Sequence, residues 1–115
     1  MERRLELAEL LAIYGAFLTD KQRECLSLSL WEDFSLTEIG ERLGLSRQSA
    51  HDAIRRGEAA LRRWEQCLCV AEHRRALAEI AANLSELLPY LADSSLRAKF
   101  SREIEKLRGL RCCNE

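Results

Sequence analysis

Between Ser35 and Ser46 the chain has room for one short helix and one tight turn, and that segment constrains the fold most. Ser35-Leu36-Thr37-Glu38 is a capping box, in which the serine hydroxyl takes a free backbone N–H and the glutamate reaches back. Leu36, Ile39 and Leu43 follow at i, i+3 and i+7, one apolar stripe on a helix of about two turns. Gly44 stands where that helix must stop, because the closing residue needs a positive φ. Leu45 turns back toward the core. Ser46 is a second N-cap, opening a long helix from Arg47 through Ala50, Ile54, Leu61 and Trp64 to about Cys69. Two capped helices around a glycine turn predict a helix-turn-helix. Ile39 and Leu43 should pack on Ala50 and Ile54, with Ala50 small where the helices come closest.

The flanks read as helix too. Leu5 to Phe17 is apolar at Leu5, Leu7, Ala8, Leu11, Ala12 and Tyr14. Thr19 and Gln22 form another capping box, so a helix runs from about Asp20 to Leu30 with Leu26 and Leu30 inward, and 31–34 is a connection. From Ala71 to Arg108 there is no glycine, and Pro89 is the only proline of the chain. Ile80, Leu84, Leu87, Leu88 and Leu91 suggest one apolar face. Asp93-Ser94-Ser95 reads as a turn and cap, and Leu96, Phe100, Ile104 and Leu107 as a second face. The expectation is all-α: a helix-turn-helix domain over 1–70 with a long recognition helix, then a C-terminal helical hairpin over 71–115.

Charge narrows the function. With 18 Lys+Arg against 19 Asp+Glu, the 115-residue chain has a formal net charge of -1. Nucleic acid cannot be held by overall charge, so any such contact needs a local patch. One exists: residues 46–63 carry five basic and two acidic side chains, whereas 2–42 carry nine acidic and five basic. No apolar run reaches the ~20 residues of a membrane span. The acidic start lacks the apolar core of a secretion signal, which points to the cytoplasm. Five cysteines without disulfide spacing fit reduced thiols.

In a helix-turn-helix the solvent face of the second helix enters the major groove. Here that face offers Arg47, Gln48, Ser49, His51 and Asp52, then Arg55 and Arg56 one turn on. Arg47 suits a bidentate pair with guanine and Gln48 with adenine; Ser49 and His51 suit bases or phosphates. Arg55, Arg56, Arg62 and Arg63 lie further from the helix start and suit phosphates. Asp52 repels phosphates unless it meets a cytosine amine. The plainer alternative is a solvated arginine face on an interaction module.

Other chemistry is weaker. Cys67-x-Cys69 with His73 resembles a zinc ligand set, but residues two apart on a helix point ~200° away from each other. Cys25 reads as core, and Cys112-Cys113 as an oxidation liability. With no glycine-rich phosphate loop, Ser/His/Asp set or distinctive carboxylate pair, no enzyme, metal or cofactor is expected. Trp64 continues the long helix's apolar stripe, either as core against the hairpin or as the seam of a homodimer presenting two recognition helices.

Leu18-Thr19-Asp20-Lys21-Gln22-Arg23, the run from Asp33 to Gly40, and the run from Ser46 to Arg56 together resemble the YlxM family. These are small bacterial helix-turn-helix proteins similar in fold to region 4 of sigma factors. The resemblance covers about Leu5 to Val70 and rests on Thr19, Gln22, Ser35, Glu38, Ser46, Arg47, Gln48, Asp52, Ile54 and Arg55. The family favours tyrosine where this chain has Ser29, Leu30 and His51, and threonine at Gly57. The resemblance implies a DNA-binding regulator linked to the signal recognition particle pathway, whose GTPase gene neighbours the family's genes. An adaptor that binds that GTPase or its RNA without reading DNA is the alternative, which the acidic front of the chain favours. A polymerase-contacting, sigma-like role rests on fold analogy alone.

Overall fold

The computed structural model describes residues 2–110; Cys112 and Cys113 lie outside the described residues. Six α-helices and no strand are found among the described residues: α1 Glu2–Tyr14, α2 Asp20–Leu30, α3 Leu36–Leu43, α4 Arg47–Leu68, α5 Val70–Leu87 and α6 Ser94–Arg108. Short 3-10 turns follow α1 and α5. The chain divides into two compact units, one ending at Cys69 and one starting at Val70.

Local chemistry sets the helix ends of the first unit. Thr19 Oγ1 accepts from Gln22 N at 3.2 Å while Gln22 Oε1 accepts from Thr19 N, also at 3.2 Å. Ser35 and Glu38 close the second box at 3.2 and 2.8 Å. Gly44 ends α3 at φ 71°, a left-handed conformation that a Cβ would strain. The N–H of Leu45 then donates to Gly40 O at 2.8 Å, folding the turn back onto α3.

Cys25, Ile39, Ala50 and Ala53 form a buried cluster joining α2, α3 and α4, with Leu36, Leu43, Leu45 and Ile54 half-buried around it. The expected α3–α4 contact is therefore present. α2 also packs closely on α4 at Gly57, where an added Cβ would stand 2.6 Å from Leu26 Cδ1. In α1 the buried residues are Leu7, Leu10, Leu11, Ile13 and Tyr14, whereas Leu5 is 68% exposed. Of the expected apolar positions, Leu5 and Ala12 face solvent and Ala8 is half-buried. The helix turns the face carrying Leu7, Leu10, Leu11 and Ile13 inward, where these large side chains remove more apolar area from water. Leu30 is half-buried rather than core. Trp64 is half-buried and meets Tyr14 at 6.3 Å and, edge-on, Phe17 at 5.9 Å.

The second unit is an α5–α6 hairpin. Asp93 Oδ1 caps α6 by accepting from Ser95 N at 2.9 Å, as its sequence suggests. The apolar faces proposed for it do not both turn inward: Ala81 and Ile104 are buried, while Ile80, Leu87, Leu96 and Phe100 are 42–57% exposed. Two helices share one narrow seam, so neighbours of that seam stay in solvent.

Candidate nucleic-acid interface

The start of α4 is held open by its cap. Ser46 Oγ accepts from Ser49 N at 3.0 Å, satisfying one of the free donors of the first turn. Arg47 and Gln48 then project into solvent. Successive residues rotate about 100° around a helix. Because Ala50, Ala53, Gly57 and Leu61 are buried, the opposite face is centred on Gln48, Asp52, Arg55, Ala59 and Arg62. Arg47 and His51 lie on one flank of it. Ser49, Arg56 and Arg63 lie on the other, the flank that faces the start of α2. The nine residues expected to touch nucleic acid thus form a central row and two shoulders, with Ser49, His51, Asp52 and Arg62 half-buried and the other five exposed.

Asp52 has a partner that its sequence position did not reveal. Its Oδ1 accepts from Gln48 Nε2 at 3.1 Å, one helical turn back. The carboxylate therefore anchors the glutamine amide, leaving Gln48 one N–H and its oxygen for another group. A fixed amide is better suited to bidentate pairing than a freely rotating one, since less rotamer freedom is lost on contact.

The cations of the first unit fall into two classes. Arg3 pairs with Glu58 at 3.3 Å, Arg4 with Asp33 at 3.0 Å and Arg23 with Asp20. Arg42 lies 5.9 Å from the centroid of the Phe34 ring. Arg47, Arg55, Arg56, Arg62 and Arg63 of α4 have no carboxylate or hydrogen-bond partner among the described residues. An unpaired exposed guanidinium can bind a phosphate without first giving up another partner.

One contributor escaped the sequence reading. Lys21, on the first turn of α2, lines a groove together with Ser49, Asp52 and Arg56 of α4. Thirty-five positions separate Lys21 from Arg56, so only the α2–α4 packing brings them to one groove. The cysteines contribute nothing to this face. Cys25 is buried, and burial pushes its thiol above the ordinary value. Cys67 is exposed, and Cys69 ends α4 in a left-handed conformation at φ 55°. Among the described residues, no group of three or more His, Cys, Asp or Glu side chains is placed to hold a metal.

A short capped helix, a glycine turn and a longer capped helix with a cationic outer face define a helix-turn-helix protein. The chain belongs to the UPF0122 family, described as "Putative helix-turn-helix protein, YlxM / p13 like", which it matches over residues 1–101. It is 42% identical over 106 residues to a UPF0122 protein of Symbiobacterium thermophilum, covering 91% of this chain and 92% of the relative. A UPF0122 protein of Clostridium kluyveri is 35% identical over 109 residues, covering 95% of each chain. One from Acetivibrio thermocellus is 48% identical over 68 residues, covering 59% of this chain and 58% of the relative. The match runs well past Val70, where the sequence resemblance had stopped.

Proposed function

We propose that this protein is a DNA-binding regulator that places α4 in the major groove of duplex DNA. The observation that carries this reading is the contrast in ion pairing: Arg3, Arg4 and Arg23 are paired, and the five arginines of α4 are not. Arg47 and Gln48 project from the first turn, where a recognition helix meets base edges. Arg55, Arg56, Arg62 and Arg63 lie about 12–24 Å along the helix from Arg47, at 1.5 Å per residue, and serve the phosphates. Arg47→Ala should cost ~1–3 kcal/mol at one base position, and Arg55→Ala should weaken all sequences alike. Equal, sequence-blind losses from both would refute base reading by α4.

The exposed apolar side chains Ile80, Leu87, Leu96 and Phe100 support pairing of two copies through the hairpin. A dimer would offer two recognition helices to neighbouring groove turns, and a solution mass of one chain would exclude it. A cytoplasmic location suits this work. None of the described helices is long and apolar enough to cross a membrane.

A second reading is an adaptor on the signal recognition particle pathway, binding its GTPase or its RNA. The excess of nine acidic over five basic residues in 2–42 favours it, since that surface repels DNA. Binding to the GTPase with no duplex shift at low salt is the result that would select it.

A further inference from the structure

Two cations outside any ion pair face one groove from different helices. The groove measures about 310 Å³ and lies between the first turn of α2 and the flank of α4. Thr19, Lys21 and Gln22 supply one wall, and Ser49, Asp52 and Arg56 the other. One water needs only about 10–15 Å³ by the same measure, so a phosphodiester group and its hydration fit. We infer that it seats a backbone phosphate flanking the major groove, gripped by Lys21 from α2 and Arg56 from α4. This rests on the duplex-binding reading above and adds a contact from outside the helix-turn-helix.

The charges around the groove favour an anion there. Asp20, next to Lys21, is engaged by Arg23, so it does not neutralise the lysine. Glu24, one turn along α2, makes no ion pair with Lys21. Asp52 is the one carboxylate in the wall, and its Oδ1 accepts from Gln48. Two cations against one carboxylate leave the groove net positive. The Thr19 hydroxyl and the Gln22 amide use only their oxygens as acceptors in the α2 capping box, which leaves the Thr19 O–H and the Gln22 NH2 able to support the two cationic side chains. Ser49 contributes a hydroxyl to the same wall. A second groove of about 390 Å³ shares Thr19, Gln22 and Arg56 and continues to Arg63. Arg56 thus stands where two adjoining spaces meet, in line with a strand running along α4.

The test is duplex binding by the intact protein between 50 and 200 mM salt, comparing wild type with Lys21→Ala, Lys21→Arg, Arg56→Ala and the double alanine variant. Each lost phosphate contact removes about 0.9 from the slope of log affinity against log salt. Because Arg56 still holds the phosphate, Lys21→Ala should weaken binding equally for every sequence. The double alanine variant, which empties the seat, should lose the full 0.9, its penalty shrinking about 3.5-fold across that range. Lys21→Arg should keep the wild-type slope. Asp52→Asn should tighten binding to all sequences, whereas a cytosine contact by Asp52 would instead weaken one. Lys106→Ala, which removes the partner of Glu103 in the second unit, controls for net charge and should leave the slope unchanged. Circular dichroism and melting temperature establish that each variant is folded. If wild type binds and Lys21→Ala binds every sequence as tightly as wild type, the phosphate seat is wrong and the α4 reading stands. If wild type binds no duplex at 50 mM salt, the α4 reading falls and takes the seat with it.

Discussion

Gly40→Ala separates helix propensity from packing, because the two predict opposite signs. Gly40 sits inside α3, where alanine is normally preferred by about 1 kcal/mol. Here an added Cβ would stand 2.6 Å from the carbonyl oxygen of Leu45, a backbone atom of the turn. Ordinary non-bonded contact begins near 3.4 Å, so the turn must retreat by about 0.8 Å from the helix it folds against. That oxygen cannot rotate away as a side chain would, and the same turn donates Leu45 N–H to Gly40 O at 2.8 Å. Overpacking of this kind costs about 1–3 kcal/mol. Weakening that hydrogen bond adds ~1 kcal/mol, so the loss outweighs the gain in propensity. The expected net is a destabilisation of about 1–3 kcal/mol, measured as a fall in urea midpoint at constant m-value. The change should also weaken duplex binding, since the turn sets the direction of α4 relative to α3. A variant as stable as wild type, or more stable, would refute the claim that backbone contact at Gly40 fixes the turn.

Other consequences follow from single contacts. Arg4 donates to Ser29 O and Leu30 O, each at 3.0 Å, capping the end of α2 while pairing with Asp33. Because its side chain is 44% exposed, Arg4→Met should cost only about 0.5–1.5 kcal/mol of unfolding free energy, with part of that loss masked by high salt. A change beyond 3 kcal/mol would mean that Arg4 does more than cap. Buried Cys25 should resist a thiol reagent under native conditions while exposed Cys67 reacts, and mass mapping of the labelled sites would show the reverse if the α2 core were open. Burial raises the Cys25 thiol, so the unfolded chain releases that proton first as pH rises. Stability should therefore be fully present below about pH 8 and decline as pH climbs through the ordinary thiol range toward the raised value. Cys25→Ala should flatten that decline; an unchanged pH slope would place its cause elsewhere.

What was legible in the sequence was the chemistry of neighbours in the chain. Thr19 with Gln22, Ser35 with Glu38, Ser46 and Asp93 each mark a helix start through bonds two or three residues long. Gly44 marks a stop through its own φ. Face assignments fared worse where apolar residues surround a helix: in α1, Leu5 and Leu10 are equal by composition, and only packing against α2 and α4 decides which is buried. Ile80 and Phe100 failed for a related reason, since a two-helix seam is narrower than the apolar stripe that serves it. The candidate interface was legible as a row on one helix. Its edges were not. The Gln48–Asp52 bond is local and could have been anticipated from i, i+4 spacing. Lys21 could not, because its approach to Arg56 depends on Gly57 letting α2 come close to α4.

The salt dependence of duplex binding tests the central claim most directly. If four unpaired arginines and Lys21 meet phosphates, log affinity should fall with log salt at a slope of roughly −4 per chain, with a preferred sequence emerging from a random duplex pool. A protein that is folded yet shows no duplex binding at 50 mM salt, or whose binding is indifferent to salt, would contradict it.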